Sequence, residues 1–133
     1  MYESLPAPIL RLIDANLNRL REGIRVVEDI RRYCFDDENS AKELKKLRHK
    51  ARLEPYLALL KTRDIEHDVL KSTTKSESSR KDLLSIQTAN LKRVQESARV
   101  LEETLKLYDA EDAEIFKEIR YSLYAIEKNL LEK

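Results

Sequence analysis

The sequence predicts an all-α fold, a helical bundle of four principal helices arranged as two helix pairs related by a pseudo-twofold axis. Composition points this way first: one Gly and three Pro in 133 residues leave little of the turn chemistry that a sheet protein needs. Apolar residues recur at helical spacing, and no segment alternates as a strand does. The third observation is a repeat. DANLNRLREGIRVVED, Asp14 to Asp29, returns as TANLKRVQESARVLEE, Thr88 to Glu103, at an offset of 74 with eight of sixteen positions identical. The identities are Ala15/Ala89, Asn16/Asn90, Leu17/Leu91, Arg19/Arg93, Glu22/Glu96, Arg25/Arg99, Val26/Val100 and Glu28/Glu102. Five of these are polar pairs that core packing alone does not require twice.

The repeat continues into a second helix, because AKELKKLRH (Ala41 to His49) aligns with AEIFKEIRY (Ala113 to Tyr121) at an offset of 72. The copies span 14–61 and 88–133, each a long helix plus a returning one. Self-similarity usually announces an array, but two copies in a short chain suit a pseudo-twofold bundle, with a shared site near its axis.

In chain order, Ile9, Leu12, Ile13, Leu20, Ile24, Val27 and Ile30 give a first helix from about Pro8 to Phe35, ended by the acidic turn DDENS. Ser40 with Glu43 reads as a capping box for a second helix carrying Leu44, Leu47, Ala51, Leu57 and Leu60. Pro55 should break that helix near Glu54. The stretch from Lys61 to Ser79, with its connecting loop at about 62–79, has no sustained stripe, and so long a connection is usually functional or disordered. Thr74 with Glu77 would cap a third helix bearing Leu83, Ile86, Val94, Leu101, Leu105 and Tyr108. Asp109 with Asp112 opens a fourth with Ile115, Phe116, Ile119, Leu123, Ile126 and Leu130.

Residues 1–133 are expected to form a single domain with a core that needs no staples. Its 26 basic and 25 acidic residues interleave to a net charge of +1, so no global field draws in nucleic acid or an anionic membrane. Any anion site must be local. The single Cys34 excludes an internal disulfide and, at the end of an apolar stripe, is expected in the core. With no apolar leader and no long uncharged span, the expected location is the cytoplasm.

On a wheel of about 100° per residue, Ile9, Leu20 and Val27 lie within about 40° of Asn16, which places an amide in mid-stripe. Asn90 sits likewise among Leu83, Val94 and Leu101. Each buried amide needs partners; the pair either fixes register, as a buried Asn does in coiled coils, or lines a site. Arg19, Glu22, Ala15, Val26 and Gly23 occupy the adjoining arc, matched by Arg93, Glu96, Ala89, Val100 and Ser97. Gly in a helix interior costs about 1 kcal/mol against Ala, so Gly23 marks close helix packing or close ligand approach. Arg19 with Glu22 is either a solvated i, i+3 salt bridge or part of a site. Arg25 with Glu28 and Arg99 with Glu102 point elsewhere and read as solvated or helix-to-helix ion pairs. Arg48 and Arg120, matched across the halves at the core boundary, either snorkel or hold an anion.

In the loop, Arg63, Asp64, Asp68, Ser76, Glu77 and Arg80 combine guanidinium and carboxylate groups just before a helix N-terminus, a mixture suited to a phosphate with Mg²⁺. His49 and His67 have no partner at metal-ligand spacing, so no zinc site is expected. One Gly also rules out a Walker motif or a kinase Gly-rich loop.

Taken together, DANLNRLREGIRVVED, the LRH of the second helix, the RD-to-DV loop, Ser76 to Arg80, AN-x-x-R-x-x-E-x-x-R-V-L-E-E and the late IRY-x-x-Y-x-x-E resemble one family. It is the small, monofunctional hydroxymethylpyrimidine phosphate kinase family of thiamin biosynthesis, a helical domain often fused ahead of thiamine phosphate synthase. The resemblance covers nearly the whole chain. It implies an ATP- and Mg²⁺-dependent phosphotransferase that converts hydroxymethylpyrimidine phosphate to the diphosphate. The site set carried over is Asp14, Asn16, Arg19, Glu22, Arg48, Arg63, Asp68, Glu77, Arg80, Asn90, Arg93 and Glu96. Chemistry suggests the roles: Arg19, Glu22, Arg93 and Glu96 in catalysis, Asp14, Asn16, Arg48, Arg63, Arg80 and Asn90 in binding the pyrimidine phosphate and ATP, Asp68 and Glu77 on the metal. One departure stands out, since Leu70 follows Asp68-Val69 where the family pattern has Gly, and Leu does not readily take positive φ.

Two rivals remain at this level. The opening ILRLIDANLNRL has the flavour of helical chorismate mutases but leaves the repeat and the loop unexplained. The other rival is a noncatalytic helical docking or dimerisation domain for the synthase, which would bind no nucleotide and expose an apolar patch. Long helices with apolar flanks also allow a homodimer, and a chain that stops without a synthase barrel favours an activity of its own.

Overall fold

In the computed structural model, residues 2–54, 56–73 and 79–132 are described, and all regular structure among them is helical. A 3-10 turn at Tyr2–Ser4 precedes α1, Ala7–Asp29. Prolines at the N-cap and in the first turn suit a helix start, where their missing N–H groups would have no partner in any case. α1 buries Leu10, Ile13, Leu17, Leu20, Ile24 and Val27 on one face. It then widens into a π-helical turn, Ile30–Cys34. The wider turn rotates later residues off the stripe, so Cys34 is exposed rather than in the core as expected. Asp36 follows at φ 49°, a left-handed conformation that Asp tolerates better than most residues.

α2 spans Glu38–Lys50. Its cap is Asp37 rather than the expected Ser40 box: Asp37 Oδ1 accepts from the Ser40 N–H at 3.2 Å. Arg31 decides this by holding Asp37 Oδ2 at 2.9 Å, which fixes the carboxylate at the helix start. The helix stops at Ala51 and resumes as a short α3, Tyr56–Lys61, giving the break expected near Glu54. Pro55 itself lies outside the described residues. In α3 only Leu59 is buried, while Leu57 and Leu60 face outward. Irregular chain follows from Thr62 to Thr73; the expected Thr74/Glu77 cap lies outside the described residues. α4, Leu83–Leu105, starts instead at Asp82, whose Oδ1 accepts from the Ser85 N–H at 2.8 Å. α5, Ala110–Glu132, opens as expected, with Asp109 accepting from the N–H groups of Glu111 and Asp112.

α1 and α4 cross antiparallel at the centre of the bundle. Gly23 abuts Asn90 and Val94, and Asn16 shares a cleft with Ser97 and Val100. The offset of 74 converts one contact into the other, as a pseudo-twofold requires, and sets Arg19 and Arg93 beside the axis. α2 packs on α1 and α5 on α4; α2 and α5 close the bundle, with Lys50 Nζ 2.8 Å from Glu118. Because α2 and α4 run the same way, the chain must cross back between them, and α3 with its following loop does so along α1. Phe116, Ile13, Leu20, Ile24, Leu44, Leu101 and Leu123 fill the core without exposure.

The repeat also places one buried ion pair in each half. Arg48 forks onto Glu28, Nε to Oε1 at 2.8 Å and Nη2 to Oε2 at 3.2 Å. Arg120 grips Glu102 Oε1 with Nε at 3.0 Å and Nη2 at 2.7 Å. These are the helix-to-helix pairs foreseen for Glu28 and Glu102, although their partners come from the returning helices. The i, i+4 pair Arg25 with Asp29 is matched by Arg99 with Glu103.

Gly23 is a direct test of this crossing. A Cβ there would lie 2.4 Å from Val94 Cγ1, inside a fully buried seam. Overpacking of this kind costs about 1 to 3 kcal/mol, against about 1 kcal/mol of helix propensity gained by Ala. Gly23→Ala is therefore expected to lower the urea midpoint, and adding Val94→Ala to recover part of the loss. A Gly23→Ala protein as stable as wild type would show that the seam relaxes freely.

Candidate functional site

The repeat asparagines are held alike. Asn16 Nδ2 donates to Leu12 O and Asn90 Nδ2 to Ile86 O, each at 2.9 Å and each one helical turn back. Tying one amide hydrogen to the helix leaves the carbonyl oxygen and the second hydrogen for other partners. Asn16 is buried, and Asn90 is half-buried against Gly23.

Around Asn16 two clefts adjoin. One, of about 420 Å³, runs from Arg11 and Asp14 past Asn16 and Arg19 to Arg63, Asp64 and Asp68. The other, of about 520 Å³, continues from Asn16, Arg19 and Asp68 over Leu70 and Lys71 to Arg93, Glu96, Ser97 and Val100. Asn16, Arg19 and Asp68 belong to both, so the clefts meet there.

The crossover loop is latched to this place by charge. Arg63 forks onto the buried carboxylate of Asp14, Nε to Oδ2 at 2.7 Å and Nη2 to Oδ1 at 2.8 Å. The hydrogen bond to Asp14 raises the Arg63 pKa above its ordinary value, so this cation stays charged. Asp64 shapes the next turn by accepting from the N–H groups of Glu66 and His67, and lies 2.8 Å from His67 Nδ1. The His67 contact, then those N–H groups, hold Asp64 below the usual carboxylate range. Asp68 Oδ1 accepts from the Leu70 N–H at 2.9 Å. Leu70 keeps negative φ, so the loop does without the left-handed conformation that a Gly would offer.

Arginine pairing separates scaffold from site. Arg25, Arg31, Arg48, Arg63, Arg99 and Arg120 each hold a carboxylate. Arg19 and Arg93 hold none among the described residues, and the solvated i, i+3 pairs with Glu22 and Glu96 do not form. Two exposed guanidinium groups thus meet unneutralised where the clefts join the helix crossing.

Of the residues expected at the site, the structure brings together Asp14, Asn16, Arg19, Arg63, Asp68, Arg93 and Glu96. Asn90 and Glu22, the repeat equivalents of Asn16 and Glu96, line neither cleft. Arg80 lines a separate surface with Ser85, Thr88 and Ala89, the second half's equivalents of Arg11, Asp14 and Ala15. Arg48 is corrected from ligand to scaffold, because its fork is closed on Glu28 between α1 and α2. Glu77 lies outside the described residues. The sequence reading missed Arg11 and Lys71. Arg11 carried a signal, one and two helical turns before Ala15 and Arg19 on the same face; Lys71 sits in aperiodic loop and carried none.

The profile of the ThiD2 family matches residues 11–129. The chain belongs to the ThiD2 family. It is 41% identical over 134 aligned residues to a thiamine-phosphate synthase of Synechocystis sp., covering 98% of this chain and 38% of that protein. Against the thiamine-phosphate synthase of Nostoc punctiforme the identity is 36% over 130 residues, covering 97% and 37%. Against that of Rhodopirellula baltica it is 38% over 127 residues, covering 92% and 34%. The chain thus spans little more than a third of the length of these relatives. No solved structure matches it.

If Arg48 is scaffold, removing it should cost stability rather than binding. Breaking a buried pair by deleting one partner costs about 3 to 5 kcal/mol. Arg48→Met and Arg120→Met are each expected to lose stability on this scale in urea unfolding. Ligand affinity of the folded fraction should stay unchanged, and a selective loss of ligand binding in Arg48→Met would return that residue to the site.

Proposed function

We propose that this ThiD2 domain is a phosphotransferase that converts hydroxymethylpyrimidine phosphate to the diphosphate with ATP and Mg²⁺, in the cytoplasm. The observation that carries the reading is the pair Arg19 and Arg93, exposed in one cleft without a carboxylate partner among the described residues. Exposed positive charge held in a cleft favours an anionic ligand, and the planar guanidinium suits phosphate oxygens. Two clefts of about 420 and 520 Å³ that meet at Arg19 suit two ligands that must touch. The relatives' names add that this domain type occurs within proteins of thiamin biosynthesis.

The chemistry asks little of the side chains beyond charge and alignment. An oxygen of the substrate's phosphate attacks the γ-phosphorus of ATP, the bond from that phosphorus to the β–γ bridging oxygen breaks, and ADP leaves with the electron pair. The nucleophile is already an anion near neutral pH, so no general base is needed. Arg19 and Arg93 neutralise the oxygens between which the phosphoryl group passes. Arg11 and Lys71 add positive charge at the far end of each cleft. Asn16, with a free carbonyl and amide hydrogen, can read the polar edge of a pyrimidine.

Mg²⁺ is commonly bound through one or two carboxylates and the substrate's phosphates. Asp68 and Glu96, which line the same cleft as Arg19 and Arg93, fit that role. When bound, the ion would supply positive charge that screens the phosphates during transfer.

A second reading, a noncatalytic docking domain of the synthase, is favoured by Leu57, Ile65, Val69 and Leu70, all more than two thirds exposed. ATP consumption coupled to a dehydrogenase assay separates the two. Wild type should consume ATP only when hydroxymethylpyrimidine phosphate is present. Arg19→Lys and Arg93→Lys keep charge and fold, yet each should lower turnover by about 10²-fold to 10³-fold. A folded wild type without substrate-dependent ATP use sinks the kinase reading and leaves the docking domain. Full activity in both variants removes only the roles assigned to the two arginines.

A further inference from the structure

The face of α1 opposite Arg19 carries a second basic cluster. Arg21 lies about 200° around the helix from Arg19 and on the same side as Glu28, two turns further on. α2 returns antiparallel along that side, with Arg48 forked onto Glu28. Arg52, just past the α2 C-cap Ala51, is therefore carried back toward Arg21. Neither Arg21 nor Arg52 has a carboxylate partner among the described residues, and Arg21 Nε is buried without an acceptor. We propose that Arg21 and Arg52, flanking the closed Arg48–Glu28 pair, form a second oxyanion site that takes a phosphate group, separate from the Arg19/Arg93 cleft.

The internal repeat supplies the control. In the second half the same ion-pair frame stands as Glu102 with Arg120, but the positions matched to Arg21 and Arg52 are Gln95 and Tyr124. There the Tyr124 hydroxyl accepts from Arg120 Nη1 at 3.2 Å, so a neutral group completes the frame. Gln95 Nε2, like Arg21 Nε, is buried without a partner. The fold therefore tolerates neutral residues at both places, and the first half has added two cations around one carboxylate. Asp29, the next acid along α1, is held by Arg25. The like charges are felt: burial, then Arg52 and Arg48, lower the Arg21 pKa from its ordinary value. Exposed His49 beside them is also lowered, by desolvation and then Arg48 and Arg52. An oxyanion would supply the acceptor that Arg21 lacks and relieve this repulsion, with guanidinium donors suited to phosphate.

Phosphate binding to the full chain is measured by calorimetry and thermal melting, with chloride at equal ionic strength as control. Inorganic phosphate and AMP without metal are the two probes. Wild type and Arg19→Gln/Arg93→Gln should both be stabilised by phosphate beyond chloride. In Arg21→Gln/Arg52→Gln, phosphate affinity should fall about tenfold or more, the equivalent of one charged hydrogen bond lost. In low-salt buffer without phosphate, this variant should melt at or above wild type because a repulsion is gone. Arg52→Gln alone, at an exposed position, repeats the binding test where folding is not at issue. Tighter binding of AMP than of phosphate through these arginines assigns the site to a phosphoryl group on an organic ligand; the reverse assigns it to free phosphate. Unchanged phosphate affinity in the Arg21 and Arg52 variants overturns the site, as does a wild type that phosphate stabilises no more than chloride. Loss of all phosphate binding in Arg19→Gln/Arg93→Gln also overturns it, by returning the anion to the first cleft.

Discussion

Everything in this bundle is arranged around the close antiparallel crossing of α1 and α4. Gly23 lets the helices approach until its own Cα faces Val94 without room for a methyl group, and the repeat places buried Ser97 at the matching contact with the Asn16 end. Small residues at both contacts allow the two central helices to share one seam. The offset of 74 then brings the polar positions of both copies to the same seam, next to solvent. Arg19 and Arg93 line one cleft because the crossing brings them to the same seam. Neither helix alone holds a pair of guanidinium groups at this place.

The second constraint is where charge is neutralised. Buried forks from Arg48 and Arg120 join each central helix to its returning partner. Such pairs add less net stability than their geometry suggests, because desolvating both ions offsets much of the attraction. Their effect here is positional. Glu28 and Glu102 are closed off by scaffold arginines, so they are not available to quench the basic groups that α1 presents on either side. The Arg19/Arg93 seam and the Arg21/Arg52 flank both stay positive in a chain of net charge +1.

The fold was legible because helical period and the internal repeat speak to the same helices, and both survive into packing: Ile13, Leu20, Ile24 and Val27 are buried as the stripe requires. What escaped was set by tertiary contact. Arg31 recruits Asp37 as the α2 cap, which no local pattern prefers over Ser40. The π turn at Ile30–Cys34 throws Cys34 outward against the stripe. Among the residues lining the cleft, the repeat had singled out Asn16, Arg19, Arg93 and Glu96. Arg48 could not be sorted from them, since a matched arginine at the core boundary looks alike whether it holds a neighbour's carboxylate or an incoming anion. Only the position of Glu28 on the facing helix decides that.

The repeat predicts two equivalent half-sites, and the topology makes them unequal. With α2 and α4 pointing the same way, the chain between them has to travel back along the bundle, and it does so over the first half of α1. Asp14 gives that crossover a buried carboxylate to grip, through Arg63. The residue matched to Asp14 is Thr88, which offers no charge, and Arg80 lies on the surface there. Asp68, Leu70 and Lys71 consequently line the cleft at Asn16 and Glu96. Duplication supplies the paired arginines at the axis, and the single crossover decides which side of the axis becomes the cleft. The crossover thereby comes to the Asn16 end of the seam, while both copies contribute a guanidinium to the cleft there.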